Sequence, residues 1–338
     1  MKCVQLKGLK QLEVTELDNP TTKEDSVLVK VKATGICGSD IHYWDMGQPE
    51  GLVFGHEFAG EVIDSNNSEF NVGDRVTALP ISPCLNCEMC NSGKEHLCAK
   101  AWDDTVGLSL GRTGGYGEIL NAKKSLTIKL PDSLTYEEGA LIEPAAVAYH
   151  SVELANINEG EKVLIVGAGI IGLLTAEFAK LKNPSNITIL ETNPTRAKKA
   201  MEYGIVNNAF DPREENIVEK LLTSTNGGYD SVIECVGNEM AIDESIKLCK
   251  SGRTVVLAGV SFMPVPISTK DVVMREVNLQ GTICYTKKDF VTTMNLIANK
   301  TIKVEKYITK KINLEQVQDA FEELTSGTDD NAKILIKY

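Results

Sequence analysis

The stretch Val163-Leu164-Ile165-Val166-Gly167-Ala168-Gly169-Ile170-Ile171-Gly172 decides the fold of a large part of this chain. It joins an apolar strand to a G-x-G-x-x-G turn, and a helical segment over 173–182 follows. In such a turn the first glycine makes the tight bend, the second lets the backbone approach a pyrophosphate, and the third permits close packing of helix on strand. The free N–H groups of the helix N-terminus then point at the phosphates. The hexapeptide alone would be weak evidence, but in this context it predicts a dinucleotide site.

Strands and helical segments alternate from Lys162 onward, which is the pattern of βαβ units around a parallel sheet. The predicted strands are short and mostly apolar, and they cover 163–166, 187–190, 208–210, 231–236, 254–258 and 279–283. Six such strands make two mononucleotide-binding halves. We therefore expect an α/β Rossmann domain with a doubly wound parallel sheet over residues 146–284.

An acidic residue at the end of the second of these strands bears on the choice of cofactor. Glu191 follows Gly172 by 19 residues, where a carboxylate can accept hydrogen bonds from the adenosine ribose and would repel a 2′-phosphate. We therefore favour NAD over NADP, although Arg196 and the two lysines after it could favour a phosphate. A glycine-rich turn with a solvated glutamate is the alternative interpretation. The residues expected to bind the cofactor are Gly167, Gly169, Ile171, Gly172, Glu191, Arg196 and Val260.

The rest of the chain has a different pattern. Short strands separated by glycine are predicted at 26–31, 58–63, 74–78 and 116–120. A helical pattern covers about 136–156, and after residue 285 two amphipathic helical segments precede a closing strand over 332–337. We expect this tail to pack on the N-terminal strands. Residues 1–145 and 285–338 would then form one β-rich domain, with the Rossmann domain inserted between them.

Charge and hydropathy exclude several classes of protein. Lys and Arg total 35 of the 338 residues against 47 Asp and Glu, a formal charge of −12. There is thus no electrostatic reason to bind nucleic acid or an anionic membrane. The longest apolar run, 163–176, contains three glycines and is shorter than the roughly 20 residues that span a bilayer. The N-terminal residues show no secretory signal, so we expect a cytoplasmic protein that acts on small molecules.

Four of the nine cysteines lie within fifteen residues, at Cys84, Cys87, Cys90 and Cys98. Short loops between thiolates suit a closed tetrahedral zinc site with no open position for a substrate. Zinc here would stabilise a loop that has little core of its own. We therefore predict a structural zinc, with an iron–sulfur cluster as the competing interpretation because four cysteines also ligate iron.

A second group of possible metal ligands lies nearer the N-terminus, in the segments 35–44 and 55–60. Cys37, His56 and Glu57 offer one sulfur, one nitrogen and one oxygen donor, and the surrounding glycines permit sharp loops at which side chains can converge. The three could form an open zinc site. Taken singly, a histidine beside a glutamate is more often a surface pair, and a lone cysteine is more often part of a core.

These motifs occur together and in a fixed order. They are Cys37 with Ser39 and His42, Gly55-His56-Glu57, the four cysteines, Gly73-Asp74-Arg75-Val76 and the G-x-G-x-x-G turn. The combination resembles the zinc-containing medium-chain dehydrogenases across nearly the whole chain. The run Ile-Cys-Gly-Ser-Asp-Ile-His-Tyr-Trp at 36–44 is most similar to sorbitol dehydrogenase and its polyol, sugar-acid and butanediol relatives. The resemblance implies a GroES-like catalytic domain beside the Rossmann domain, and a homodimer or homotetramer built through the latter.

The resemblance also implies roles for individual residues. The implied ligands of a catalytic zinc are Cys37, His56 and Glu57, with Glu143 close to the metal as a further ligand or through a water. Such a zinc acts as a Lewis acid on the substrate hydroxyl. Ser39 would take the hydroxyl proton and pass it through the cofactor ribose to His42, while hydride goes to the nicotinamide. Without a metal, Ser39 and His42 would be read as a helix cap and a surface imidazole.

Two features depart from sorbitol dehydrogenase. The loop over 42–56 is shorter, and Cys284-Tyr285 lies where sorbitol dehydrogenases carry Arg-Tyr. Loss of the arginine removes a fork of hydrogen-bond donors to polyol hydroxyls. The candidate substrates therefore include other polyols, vicinal diols, sugar phosphates, sugar acids and hydroxy amino acids such as threonine. A zinc-free reductase of the same superfamily and a non-catalytic NAD-binding protein remain as alternatives.

Overall fold

The computed structural model describes residues 1–66, 69–327 and 330–338. Within them the chain divides into two units, one formed by Met1–Glu143 with Tyr285–Tyr338 and the other by Pro144–Cys284. None of the helices in these described ranges is long and apolar enough to cross a membrane.

Strands dominate the first unit and alternate with helices in the second. The strands of the described residues are β1 (Lys2–Gly8), β2 (Gln11–Glu16), β3 (Ser26–Gly35), β4 (Glu57–Ser65), β5 (Arg75–Ala78), β6 (Ile119–Lys123), β7 (Thr127–Lys129), β8 (Lys162–Val166), β9 (Asn186–Leu190), β10 (Asn208–Phe210), β11 (Tyr229–Glu234), β12 (Cys249–Leu257), β13 (Asn278–Gly281), β14 (Ile308–Ile312) and β15 (Lys333–Lys337). The α-helices are α1 (Gly38–Met46), α2 (Glu88–Asn91), α3 (Tyr136–Ala140), α4 (Ile142–Ala155), α5 (Ile170–Lys180), α6 (Pro194–Glu202), α7 (Ile217–Thr225), α8 (Glu239–Leu248), α9 (Thr269–Arg275), α10 (Lys287–Ala298) and α11 (Val317–Thr325).

The first unit is built on a seven-stranded sheet in the order β14-β15-β3-β4-β5-β7, with β6 also paired to β3. Valines at alternate positions of β3 pack against Phe58, Val62 and Val76 in a buried core, as expected for a strand with one buried face. The register sets Gly35 opposite both Glu57 of β4 and Leu335 of β15. The end of β3, the start of β4 and the middle of β15 therefore lie side by side in the sheet.

The second unit is a parallel sheet in the order β10-β9-β8-β11-β12-β13. This is the doubly wound order. Successive strands are added to one side of β8 first and then to the other, and ligands bind at the carboxyl ends of β8 and β11, where this change occurs. The G-x-G-x-x-G turn follows β8. Gly167 has a φ of 99° there, and a Cβ on Gly172 would lie 1.9 Å from the Gly167 carbonyl oxygen, so both positions require glycine.

The predicted tail packing is confirmed, because β15 pairs antiparallel with β3. The strand predicted at 116–120 is wrong in position, since β6 begins only at Ile119. Tyr116 instead donates its N–H to the Phe54 carbonyl at 2.9 Å and accepts the Val4 N–H at 2.9 Å. Its backbone thus joins two separate segments rather than one ladder. The helical pattern over 136–156 forms two helices, α3 and α4.

Candidate active site and nucleotide site

Three side chains converge where β3, β4 and β15 meet. Cys37 is the N-cap residue of α1, just after β3. Glu57 is the first residue of β4, and His56 directly precedes it. One ligand atom of each of the three lies within 4.8 Å of the others. His56 and Glu57 are buried, with 6% and 1% of their surface exposed. The structure therefore brings together the three donors that the sequence predicts.

The donor set fits a zinc ion. Sulfur, imidazole nitrogen and carboxylate oxygen are the ligand types of zinc in proteins, and three protein ligands leave one tetrahedral position open for substrate or water. Zinc sites that keep an open position are catalytic, and closed ones are structural. The chemistry of the donors thus favours a catalytic site in the first unit.

Asp40 supports Cys37 and His56 and has no exposed surface. Its Oδ2 accepts hydrogen bonds from the Cys37 N–H at 3.0 Å and the Tyr116 hydroxyl at 2.9 Å. Its Oδ1 lies 3.5 Å from Nδ1 of His56, which leaves Nε2 to face the metal position. Burial lowers the pKa of His56, but the charges of Cys37 and Asp40 raise it, and the net pKa is well above the ordinary value. The site therefore concentrates negative charge that a cation can balance.

Glu57 has a fixed partner in Lys333, at the start of β15. The Lys333 Nζ donates to both carboxylate oxygens at 2.8 and 2.7 Å and to the Ile36 carbonyl at 2.7 Å. Both side chains are 1% exposed. A Cβ on Gly35 would lie 1.9 Å from Oε2 of Glu57, so the carboxylate occupies space that only glycine leaves open. The strand register and this pair together fix the orientation of the carboxylate.

Glu143 lies in the first turn of α4 and is 5% exposed. Its Oε1 accepts a hydrogen bond from the Tyr285 hydroxyl at 2.9 Å. Glu143 lies outside the tight cluster of three donors. Burial raises its pKa to about 7, with His56 opposing and Glu57 reinforcing the shift. This carboxyl group is thus electrostatically coupled to the cluster.

Ser39 and His42 both lie in α1, three residues apart and hence on neighbouring positions of one helix face. The Ser39 Oγ is 3.5 Å from Nε2 of His56, whereas His42 is exposed. Polar side chains on α1 therefore extend from the donor cluster to the solvent-exposed surface.

The four-cysteine segment forms a second cluster, beside α2. The Sγ–Sγ distances are 3.5 Å for Cys87–Cys90, 3.5 Å for Cys84–Cys98 and 3.9 Å for Cys84–Cys90. A tetrahedral ion with Zn–S bonds of about 2.3 Å requires sulfurs about 3.8 Å apart. Cysteines around a multinuclear iron–sulfur cluster lie farther apart. The geometry therefore fits one ion with four thiolates.

Backbone N–H groups lower the pKa of Cys84 and Cys98, whereas burial raises the pKa of Cys90 to about 12. The N–H groups of Cys84 and Lys100 both point at Cys98 Sγ, each at 3.4 Å. A hydrogen bond from the Asn86 backbone lowers the pKa of Cys84 to about 6. Thiolates are the form that binds metal, so these backbone hydrogen bonds favour metal binding by the loop.

The second unit contains a cavity of about 330 Å³ at the carboxyl end of its sheet. Gly167, Gly169, Glu191 and Arg196 line it. A Cβ on Gly169 would meet nothing within 4 Å, so the backbone there is open to a ligand. Glu191 is anchored at the cavity, because Oε2 accepts the Ala168 N–H at 2.7 Å and Oε1 the Asn193 N–H at 2.7 Å. The glycine turn and the fixed carboxylate fit a pyrophosphate joined to a ribose.

Three residues that the sequence assigns to the cofactor lie outside that cavity lining. Gly172 is buried and permits the helix to approach the turn, and Ile171 is partly buried beside it. Val260, after β12, is 49% exposed.

Sequence reasoning missed the polar residues that support both sites. Glu234 is fully buried at the end of β11 and accepts the N–H groups of Val236 and Gly237 at 2.6 and 2.7 Å. Its backbone carbonyl accepts two N–H groups from the loop after β12. Glu234 ends β11 directly after two apolar residues, and Lys333 begins β15 directly before three. A charged residue beside such an apolar run was the available signal, since it must find a buried partner.

Models of two families match the chain. The alcohol dehydrogenase GroES-like domain matches residues 23–132, and the zinc-binding dehydrogenase domain matches residues 171–299. The chain is 32% identical to a probable D-xylulose reductase A of Aspergillus niger, over 93% of this chain and 89% of that protein. It is 28% identical to sorbitol dehydrogenase of Bacillus subtilis, over 99% and 97% of the two chains.

Solved structures of dehydrogenases also match the whole chain. The 2R,3R-butanediol dehydrogenase of Bacillus subtilis superposes with a TM-score of 0.88 at 29% identity, covering 100% of this chain and 99% of that one. A zinc-binding dehydrogenase of Sinorhizobium meliloti bound to NADP gives the same TM-score, identity and coverage. An alcohol dehydrogenase of Escherichia coli in complex with NADH has a TM-score of 0.90 at 26% identity, covering 100% and 99%.

The zinc-ligand cluster at the edge of a GroES-like unit, the Rossmann sheet and these similarities all lead to one assignment. This chain is an oxidoreductase of the zinc-containing medium-chain alcohol dehydrogenase family and belongs to its sorbitol and polyol dehydrogenase-like branch.

Proposed function

We propose that the chain oxidises the secondary hydroxyl of a polyol or vicinal diol, using a catalytic zinc and NAD. The observation that carries this proposal is the buried cluster of Cys37, His56 and Glu57, with a hydroxyl of α1 beside it. The first unit serves as the catalytic domain and the second as the cofactor domain. The free thiols of all nine cysteines are consistent with a reducing, cytoplasmic location.

Different residues of the first unit orient the metal ligands and transfer the proton. When bound, zinc supplies a Lewis acid for the substrate oxygen and the nicotinamide accepts the hydride. Asp40 orients the His56 ring and Lys333 orients the Glu57 carboxylate. Ser39 accepts the proton of the substrate hydroxyl while its own proton passes through the cofactor ribose to His42, which releases a proton to solvent from the exposed face of α1.

The choice of NAD over NADP rests on the surroundings of Glu191. Two backbone N–H groups hold its carboxylate in place, and a carboxylate at this position disfavours a 2′-phosphate. Arg213 makes a bidentate pair with Asp211, from Nε to Oδ1 at 2.9 Å and from Nη2 to Oδ2 at 2.6 Å, which occupies the guanidinium. Arg196 lines the same cavity and is the residue that would favour NADP.

A polyol or diol is favoured by the relatives and by the polar groups at the site. Sorbitol dehydrogenase, D-xylulose reductase and butanediol dehydrogenase are named among the proteins similar to this chain. Glu143, held by Tyr285, offers a second buried oxygen that can accept a neighbouring substrate hydroxyl, if it does not itself ligate zinc. Sugar phosphates, sugar acids and threonine-like hydroxy amino acids are the other candidate substrates.

A substrate panel tests the proposal directly. Purified enzyme is offered diols, polyols, sugar phosphates, sugar acids and threonine with NAD or NADP, and reduction of the cofactor is followed by absorbance. We expect turnover of a diol or polyol that a zinc chelator abolishes and added zinc restores, with NAD preferred. Turnover that resists zinc removal would contradict the zinc mechanism, and preference for NADP would contradict the role of Glu191.

Two glycine variants test the ligand set of the catalytic site. Gly35→Ala places a methyl group on the Glu57 carboxylate and should weaken zinc binding by about 10- to 100-fold. Gly38→Ala is the matched control, because a Cβ there meets nothing within 4 Å. After dialysis against a chelator at a concentration that leaves the control with two zinc ions per chain, Gly35→Ala should retain only one. In Cys90→Ser the other zinc should be lost instead. Two ions retained in Gly35→Ala would refute the role of Glu57.

Ser39→Ala tests the proton path. Removing the hydroxyl should lower kcat/KM by about a hundredfold or more, the usual contribution of a proton-transfer group. Zinc content and NADH affinity should not change. Ser92→Ala is the control, since that hydroxyl lies on the exposed end of α2 and bonds only a local carbonyl among the described residues. Undiminished turnover in Ser39→Ala would end the assignment.

We also propose a homodimer, or a homotetramer built from such dimers, that forms through the second unit. Its sheet ends in the edge strand β13, and α9 beside it exposes Val273 and Met274 at 70% and 76%. Exposed edges and apolar patches of this kind usually have partners. Sedimentation equilibrium should give at least twice the monomer mass, and Val273→Asp with Met274→Asp should lower it. A monomeric wild type at micromolar concentration would contradict the proposal.

A further inference from the structure

Glu244 is a buried carboxyl group on the nucleotide side of the second unit. It lies in α8, whose buried face otherwise consists of Ala241, Ile242, Ser245, Ile246 and Leu248. Glu244 is only 8% exposed, and no donor among the described residues reaches its Oε2. A buried polar atom without a partner costs free energy and requires an explanation.

The position of Glu244 explains its unpaired oxygen, since Glu244 lines the same cavity as the glycine turn and Glu191. The turn takes the pyrophosphate and Glu191 takes the ribose, so the base attached to that ribose must occupy the remaining part of the cavity. Pro212, Met240 and Ala241 form apolar walls there. A planar ring can lie between such walls, and Glu244 is then available to its polar edge.

The chemistry of adenine matches a carboxyl group at that edge. Adenine presents an exocyclic amine that donates and an N1 that accepts. A carboxylate accepts from the amine, and a neutral carboxyl group can in addition donate to N1. Burial raises the pKa of Glu244 to about 7, and the charges of Asp243 and Asp211 reinforce the shift against Lys247. Either form of the group accepts from the amine.

We propose that Glu244 recognises the adenine base of the cofactor by accepting a hydrogen bond from its 6-amino group. The inference rests on the proposed use of a nicotinamide adenine dinucleotide and adds a determinant of base specificity to it. The neighbouring Asp243 cannot substitute, because it pairs with Lys247 four residues away at 2.6 Å and lies outside the cavity lining.

The test compares NAD with an analogue that carries hydrogen in place of the 6-amino group. Dissociation constants are measured by titration calorimetry at about pH 8.5, where a group with a pKa of about 7 is ionised. The wild type should bind the analogue about tenfold more weakly, because the carboxylate would be left buried without its donor. In Glu244→Ala the two dissociation constants should agree within about twofold.

Two further variants secure the interpretation. Asp243→Asn is the matched control on the same helix and should keep the wild-type ratio. Glu244→Met removes the acceptor but keeps the volume of the side chain, so its two dissociation constants should also agree within about twofold. This variant decides the matter if Glu244→Ala does not fold. A wild-type ratio near one, or a tenfold ratio retained in Glu244→Ala, would overturn the role of Glu244. Failure of the wild type to bind NAD at all would instead count against the proposed cofactor.

Discussion

The buried ion pair between Lys333 and Glu57 is the interaction on which the catalytic unit depends. Removing two charges from water is costly, and the cost is offset only when the geometry is good and further hydrogen bonds are made. Here the ammonium reaches both carboxylate oxygens and a backbone carbonyl. Loss of one partner from such a pair typically costs about 3–5 kcal/mol. The pair therefore fixes both the last strand of the sheet and a predicted metal ligand.

The electrostatics around this pair explain why a cation belongs in the first unit. Glu57 lies within the donor cluster with Cys37, Asp40 accepts the Cys37 N–H, and both acids are buried. Lys333 pairs only with Glu57. Burial lowers the pKa of His56, but the charges of Cys37 and Asp40 raise it further, to well above its usual value. The negative groups around the ring therefore favour a positive charge here. A divalent ion with an open coordination position satisfies that demand and leaves room for a substrate oxygen.

The second unit uses three acidic residues at the carboxyl end of its sheet for three separate purposes. Glu191 is anchored by backbone N–H groups at the position of the ribose. Glu234 holds the loop after its own strand. Glu244 has a buried oxygen for which the described residues offer no donor. Oε2 of Glu234 is likewise without a donor among the described residues, but Glu234 does not line the nucleotide cavity. Glu244 does line it, so a bound ligand can reach its carboxyl group.

The sequence by itself determined the Rossmann order of strands, the two groups of metal donors and the family, because glycine spacing, cysteine spacing and apolar periodicity are local signals. Only the tertiary structure decided which residues support those donors. Lys333 meets Glu57 across 276 residues of chain, and Tyr116 meets Asp40 across 76. Such pairings follow from strand register and from the space left by Gly35, and register depends on contacts between distant segments. No local pattern contains that information.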